Sequence, residues 1–112
     1  MTNEQLCVLA KQGDAEARNL LTENNFLFLK KTAYEVWNRQ AELNTALGIE
    51  PDDLTQEGAL GLLDCIENFN PDSGNLFLTY AAPAIRNAML DYIRAQSVSF
   101  EAKKSERHGF AG

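Results

Sequence analysis

The chain has 112 residues and a mass of 12.5 kDa, which is enough for one domain and too little for two. Hydrophobic residues make up 45% of the chain and charged residues 23%, so the composition favours a folded core and excludes a disordered tail. The net charge of −6 excludes a protein that coats duplex DNA by charge alone, because such a protein would be basic.

The N-terminal part of the chain carries the start and stop residues of short helices. Thr2 with Gln5 forms a capping box, and Gly13 followed by Asp14 predicts the end of one helix and the N-cap of the next. This second helix is predicted over residues 15–23, where two asparagines follow it.

The rest of the chain predicts longer helices. A helix is expected over residues 26–43. Gly48 and Pro51 mark the next break, Pro51 is suited to a first helical turn, and a helix is expected over residues 53–69. Residues 70–74 form the clearest turn, and a strongly periodic helix follows over residues 77–94. No stretch alternates as a strand would, so we predict an all-α, multi-helix bundle.

Domain limits and compartment follow from the chain ends and the cysteines. We expect the helical domain to span residues 1–98 and a flexible C-terminal tail to span residues 99–112. No apolar run approaches the roughly 18 residues of a membrane span, and the N-terminus lacks the basic and apolar regions of a signal peptide. Cys7 and Cys65 lie in apolar surroundings far apart in sequence, which favours reduced core thiols of a cytoplasmic protein without a membrane partner.

Acidic residues are concentrated in the middle of the chain. Residues 41–80 hold eight acids and no Lys or Arg, whereas residues 1–40 hold five of each and residues 81–112 hold three acids and five bases. The helix over residues 53–69 has an apolar side and an acidic side. The acidic side contains Asp53, Gln56, Glu57, Leu60, Asp64 and Glu67. It is either a solvated face or a docking surface for a basic partner.

Two helices carry marks of close contact and of polar recognition. Gly58 and Gly61 each cost about 1 kcal/mol of helix stability, which predicts a neighbouring helix packed against the backbone there.

Pro83 predicts that the helix over residues 77–94 begins near Thr79 or kinks. Its polar face suits base edges and phosphates, and equally a solvated surface. That face contains Thr79, Pro83, Arg86, Asn87, Leu90, Asp91 and Arg94.

Nothing in the sequence favours an enzyme. It contains no glycine-rich phosphate loop, no nucleophile beside a base and no zinc-binding spacing. Asp52, Asp53 and Glu57 have the oxygen ligands that Mg²⁺ prefers, but nothing else converges on them. We therefore expect no catalytic residue, no metal and no cofactor.

Three linked motifs run through the second half of the chain. They are D-L-T-Q-E-G-A-L-G-L at residues 53–62, N-F-N-P at residues 68–71 with Gly74, and F-L-T-Y-A at residues 77–81 with I-R at residues 85–86. Together they resemble region 2 of the sigma-70 family, the promoter-melting domain of bacterial transcription initiation factors. The resemblance spans residues 14–96 and weakens between residues 37 and 51. Pro83-Ala84 stands where principal sigma factors have two tryptophans, so the chain is more similar to the alternative sigma factors.

The resemblance implies a polymerase-binding surface. In the family, the D-L-x-Q-E-G helix docks on the arginine-rich clamp helices of core RNA polymerase. The matching positions here are Asp53, Gln56, Glu57 and Leu60. Carboxylates opposite arginines form charge-assisted hydrogen bonds, which explains the preference for acids at such positions.

The resemblance also implies a surface for flipped-out bases in the non-template strand of the promoter −10 element. By position, the residues that match one base pocket are Phe69, Phe77, Thr79 and Tyr80. Asn25 matches an asparagine used near a second base. Further DNA contacts are expected from Arg86, Asn87, Asp91 and Arg94 on the polar helix face. Core packing stays open as the alternative for Phe69, Phe77 and Tyr80.

Two functions follow. The first is a bacterial transcription initiation domain that binds core RNA polymerase and recognises and melts the −10 element. The second is an interaction module that occupies the polymerase clamp, or binds an anti-sigma factor, without reading promoter DNA. The first function is favoured by four retained residues, which are Phe77, Thr79, Tyr80 and Asn25. The low basic content, and the lack of a recognisable −35-reading module after Gln96, favour the second.

Overall fold

Seven elements lie in order along the chain in the computed structural model, which describes residues 1–111 and their side chains as far as residue 105. They are α1 (Asn3–Lys11), α2 (Ala15–Asn24), α3 (Phe26–Arg39), α4 (Ala41–Ala46), α5 (Pro51–Asp64), a 3₁₀ turn (Pro71–Ser73) and α6 (Phe77–Ala111). No strand occurs among these described residues. The predicted all-α class is confirmed.

The caps of α1 and α2 are those that the sequence predicts. The Thr2 hydroxyl accepts a hydrogen bond from the Gln5 amide at 3.1 Å, and the Gln5 side chain accepts one from the Thr2 amide at 2.8 Å. The Asp14 carboxylate accepts from the Ala17 amide at 3.1 Å. These bonds satisfy amides that have no partner inside a helix, and so they determine where both helices begin.

The helix predicted over residues 26–43 is wrong at its C-terminal end, because α3 stops at Arg39 and α4 is a separate short helix. The Asn44 side chain donates to the Trp37 carbonyl at 2.9 Å, and the Trp37 indole donates to the Ile49 carbonyl at 2.7 Å. These bonds hold the chain where it turns back, and Ile49 is buried there. The apolar periodicity of the sequence carries no trace of such side-chain bonds.

The later helices also differ from their predicted bounds. Pro51 occupies the first turn of α5, as predicted, although the predicted range began at residue 53. α5 ends five residues earlier than predicted, at Asp64. α6 begins at Phe77 with Pro83 inside it, so of the two alternatives predicted from Pro83 the start near Thr79 is wrong. The carboxylate of Glu4 in α1 accepts from the Phe77 amide at 2.8 Å, so a side chain distant in sequence caps this helix.

α5 and α6 pack together at the centre of the fold, and α3 packs against both. The fully buried side chains of these helices include Leu29, Leu54, Leu62, Ile85 and Met89. A Cβ atom at Gly61 would come within 2.9 Å of both the Ala84 carbonyl oxygen and the Ala88 Cβ atom, and one at Gly58 would meet the methyl group of Met89. The close helix packing predicted from the two glycines is confirmed.

α6 continues well past the core. Ile93 is its last buried residue among those described, and residues 98–105 are exposed. The molecule therefore measures 60 Å along its longest axis and 25 by 24 Å across. Residues 99–111, predicted as part of a tail, continue α6 as helix, and Gly112 lies outside the described residues. The domain boundary at residue 98 stays a prediction.

Candidate functional site

One side of α5 presents the four residues expected to bind polymerase. Gln56 and Leu60 are exposed, Leu60 to 56%, whereas Asp53 and Glu57 are half-buried. We call these four residues the acidic face. In the part of the chain whose side chains are described, neither carboxylate forms an ion pair with Lys or Arg. The negative charge of this face is therefore available to a basic partner.

The two acids of this face differ in the hydrogen bonds that their carboxylates form within the protein. The Asp53 carboxylate accepts from the Glu50 amide at 2.8 Å and so completes the cap of α5. Glu57 forms no side-chain hydrogen bond with any other described residue. Tyr92 of α6 lies close to both acids: burial is the main cause that raises the pKa of its hydroxyl, and the charges of Asp53 and Glu57 raise it further. Glu57 is the acid most free to bind a partner.

Three aromatic rings meet where α6 begins, and we call Phe69, Phe77 and Tyr80 the aromatic corner. The rings of Phe69 and Phe77 pack edge to face with centroids 5.2 Å apart, and Phe69 lies 5.5 Å from the tilted ring of Tyr80. Phe69 and Phe77 are buried, whereas Tyr80 is 43% exposed. Core packing thus describes the two phenylalanines in this structure, while the Tyr80 ring is open to a ligand.

Asn25, the other expected base-binding residue, is buried and fully engaged as a donor. Its amide donates to the Leu21 carbonyl at 2.7 Å and to the Asn3 side chain at 2.9 Å. The Asn3 amide returns a bond to the Asn25 side-chain oxygen at 3.1 Å. Asn25 therefore holds a neighbouring side chain here and is 6% exposed.

Sequence reasoning missed Asn3 and Glu4, which stand side by side in the first turn of α1. Asn3 bonds to Asn25, 22 residues away, and Glu4 bonds to Phe77, 73 residues away. Neither pairing has a motif or spacing that would reveal it in one sequence. Both contacts depend on the packing of α1 in three dimensions.

The polar face of α6 separates into two parts. Thr79 and Asn87 are exposed and line a surface groove of about 380 Å³ together with Arg86 and Pro83. The Arg86 guanidinium lies 3.9 Å from the Glu35 carboxylate of α3, with both side chains about half exposed. One turn after Asn87, the predicted contacts Asp91 and Arg94 bond to each other at 2.7 Å. The structure brings the first group together and leaves the second as a separate surface pair.

Both cysteines are buried and unbridged, as the sequence predicts. Burial is the main cause that raises the pKa of the Cys7 and Cys65 thiols. Among the described residues, no group of His, Cys, Asp or Glu side chains is arranged to hold a metal ion, and Asp52, Asp53 and Glu57 are no exception. No helix in the same part of the chain has the length and apolar character that a membrane crossing requires.

Comparison with known proteins points to one family. The family model described as sigma-70 region 2 matches residues 27–98. This match contains the acidic face and the aromatic corner, and it begins after α1, α2 and Asn25.

Individual relatives agree with the family match. An RNA polymerase sigma-28 factor of Bacillus thuringiensis subsp. kurstaki is 40% identical over 86 residues, which cover 77% of this chain and 33% of the relative. An RNA polymerase sigma-F factor of Bacillus subtilis is 34% identical over 91 residues, covering 81% and 32%. The sigma factor FliA of Escherichia coli K12 is 46% identical over 48 residues, covering 43% and 20%. The chain spans about a third of the length of the first two relatives.

Proposed function

The chain belongs to the sigma-70 region 2 family, on the side of the alternative sigma factors, and from this premise we propose that it is a bacterial transcription initiation domain. It binds core RNA polymerase through the acidic face and recognises and melts the promoter −10 element through the aromatic corner. The observation that carries the proposal is the placement of the acidic face and of Tyr80 on two helices that pack together. The acidic face lies on α5, and Tyr80 lies on α6, which packs against α5 without a gap at Gly61.

Binding to polymerase rests on charge and on one apolar side chain. Glu57 is half-buried and forms no side-chain bond with the residues whose side chains are described, so an arginine of the clamp helices finds an acceptor whose desolvation is partly complete. Exposed Leu60 supplies apolar contact at the centre of the interface. Asp53 contributes charge while it also caps α5.

Recognition of single-stranded DNA rests on Tyr80 and Thr79. An unpaired base stacks on the exposed Tyr80 ring, and such stacking contributes about 1–3 kcal/mol per base. Phe69 and Phe77 act from behind, because their edge-to-face packing holds the position of the Tyr80 ring. Thr79, exposed next to Tyr80, offers a hydroxyl to the captured base or its sugar.

Contacts with the adjacent duplex come from the polar face of α6. Arg86 and Asn87 meet phosphates and base edges from the groove that they line. Arg94 reaches a phosphate when its bond with Asp91 opens. Because the net charge is −6, polymerase supplies most of the positive charge that holds the DNA, and the complex acts in the cytoplasm with the chromosome.

The second candidate function is a module that binds the polymerase clamp, or an anti-sigma factor, without reading promoter DNA. The excess of acids favours it, since residues 41–80 contain no Lys or Arg to meet a phosphate. The two candidates share the acidic face and differ only at the aromatic corner and on α6.

One experiment separates these functions. The chain is mixed with core polymerase and with fork-junction DNA whose single-stranded non-template segment is randomised, and the retained strands are sequenced. We expect the complex to retain a biased set of strands that core polymerase alone does not retain. Binding to polymerase without strand selection would instead support the interaction module. Failure to bind core polymerase would refute the initiation domain and would leave only a module that binds an anti-sigma factor.

A further inference from the structure

α6 continues past the point where α5 lies beside it. The two helices run antiparallel, because Gly61 lies against Ala88, whereas Asp53, earlier in α5, lies close to Tyr92. At 1.5 Å per residue, the start of α5 is therefore level with about residue 96 of α6. Beyond this level the side of α6 that packs on α5 has no part of α5 to cover it.

On this uncovered side, α6 presents an aromatic ring followed by a positive charge. Gln96, Phe100 and Lys103 follow one another at steps of four and three residues, so they lie on one side of the helix, and we call them the α6 stripe. Phe100 is 48% exposed, and exposed Lys103 forms no ion pair within the part of the chain whose side chains are described. Helices in proteins are stabilised mainly by packing of such a side. The stripe therefore suits a partner that covers a ring and supplies a carboxylate.

The start of α5 carries carboxylates that the lysine of the same copy does not reach. Glu50 and Asp52 are exposed there, and neither is paired with Lys or Arg among the side chains that the structure describes. Both acids are level with about Gln96, and Lys103 lies about 10 Å further along the helix axis. A second α6, laid antiparallel with its Phe100 against the first, would bring its own Lys103 back to the level of these acids.

We infer that the α6 stripe is an interface with a second copy of this chain. Two α6 helices pack antiparallel about a two-fold axis at Phe100, so that the two rings meet and each Lys103 pairs with Asp52 of the other copy. The contact is isologous and closes as a dimer. It involves a short length of helix, which makes the dimer weak and reversible. The inference does not rest on the proposed function, because neither polymerase nor DNA takes part in it.

Sedimentation equilibrium of the 112-residue chain measures this association. At low salt, between about 10 µM and about 1 mM, the mean mass should rise from 12.5 kDa toward that of a dimer. Phe100→Asp should weaken the association by about tenfold or more, because an aromatic ring at the centre of an interface contributes much of its affinity. Val98→Asp is the matched control, since Val98 is 69% exposed on the opposite side of α6 and should not contribute.

Charge reversal tests the contact between Lys103 and Asp52. Lys103→Glu should weaken the association by about threefold to tenfold, because it places like charges together at two symmetric positions. Adding Asp52→Lys to the same chain should restore the association, since both ion pairs then form again with their signs exchanged. Lys30→Glu makes the same charge change at an exposed position of α3 and should have no effect. Circular dichroism checks that every variant keeps its helix content.

The outcomes separate the interface from its alternatives. A chain that stays monomeric at the highest concentration would overturn the inference. Equal association of the Phe100→Asp and Val98→Asp variants would overturn the placement of the interface on the α6 stripe. Assemblies larger than a dimer would show a head-to-tail contact and contradict the two-fold arrangement. Failure of Asp52→Lys to restore association in the Lys103→Glu chain would refute the antiparallel alignment.

Discussion

The acidic face lies on α5 and the aromatic corner lies where α6 begins, and the two surfaces present their residues in opposite ways. The acidic face consists of side chains on the outside of a regular helix, with two of the four exposed and neither acid in an ion pair with a described residue. In the aromatic corner, two of the three rings are buried and only Tyr80 reaches the surface. A partner can therefore dock on the acidic face without rearrangement, whereas the aromatic corner offers one exposed ring supported by two buried ones.

The largest effect is expected from Phe77→Ala. Phe77 has no exposed surface, so its loss should reduce the free energy of unfolding by about 3–5 kcal/mol. Leu76→Ala is the matched control, because this neighbouring side chain is 64% exposed and its loss should change stability little. Denaturant titrations measure both. Equal stability of the two variants would contradict the conclusion that Phe77 supports the aromatic corner from the core.

Glu57→Arg should weaken binding to core polymerase by roughly 2–5 kcal/mol, because it replaces the partner of a desolvated arginine with a like charge. The variant should remain folded by circular dichroism, since Glu57 is not fully buried. Asp72→Arg makes the same charge change in the exposed turn after α5 and should bind normally. If both variants bind polymerase equally well, the acidic face is only a solvated surface.

Tyr80→Ala should weaken binding of a −10-like single strand in the polymerase complex by about 1–3 kcal/mol per stacked base. Polymerase binding itself should persist, because the acidic face is untouched. A thermal melt measured with the strand titration distinguishes a loss of base stacking from a loss of protein stability. A large fall in melting temperature with unchanged strand selection would place Tyr80 with the supporting rings.

Asp91→Arg should have a smaller effect on duplex DNA. It removes a carboxylate that repels phosphates and releases Arg94, so affinity in the polymerase complex should rise and its salt dependence should steepen by about one counterion. Glu42→Arg, a similar change on α4, controls for net charge. Loss of the preferred duplex, measured against a scrambled one at two salt concentrations, would instead show that Asp91 accepts from a cytosine amino group.

The smallest effect concerns the thiols behind the corner. Burial raises the pKa of the Cys7 and Cys65 thiols above the ordinary thiol value of 9.0. Near that pH the thiols ionise in the unfolded chain but stay protonated in the folded protein, so ionisation stabilises the unfolded chain. Their contribution to stability is complete below pH 9 and declines as the pH rises. Between pH 8 and pH 10 the protein should therefore lose more stability than a Cys7→Ala/Cys65→Ala variant. An equal loss would mean that water reaches both thiols.

Much of the fold could be predicted because it depends on residues that are close together in the sequence or spaced at a helical period. The caps at Thr2 and Asp14, the close packing at Gly61 and the exposure of Gln56 all follow from local residues and spacing. Helix ends that depend on a hydrogen bond between a side chain and backbone elsewhere in the chain could not be predicted in this way. The end of α3 depends on Asn44, and the start of α6 depends on Glu4, so neither boundary could be read from the residues next to it.

The same limit applied to the candidate sites. A motif assigns Phe69 and Asn25 to DNA by position, but whether a ring or an amide reaches the surface depends on which other side chains cover it. Asn3 covers Asn25, and the core covers Phe69. Packing of α1 decides the first case and packing of α6 the second, and both are properties of the whole fold.

The length of α6 gives the domain a mechanical property as well. At 1.5 Å per residue its 35 residues extend about 52 Å, and the part from Ile93 to Ser105 projects about 18 Å beyond the core. A tilt of about ten degrees at Ala88, where α6 rests on Gly61 of α5, would move Ser105, about 26 Å along the helix, by about 4 Å, since the helix is a stiff rod. Lys103 and Lys104 stand near this end. Small adjustments at the seat of Gly61 would therefore be amplified into displacements of these two positive charges.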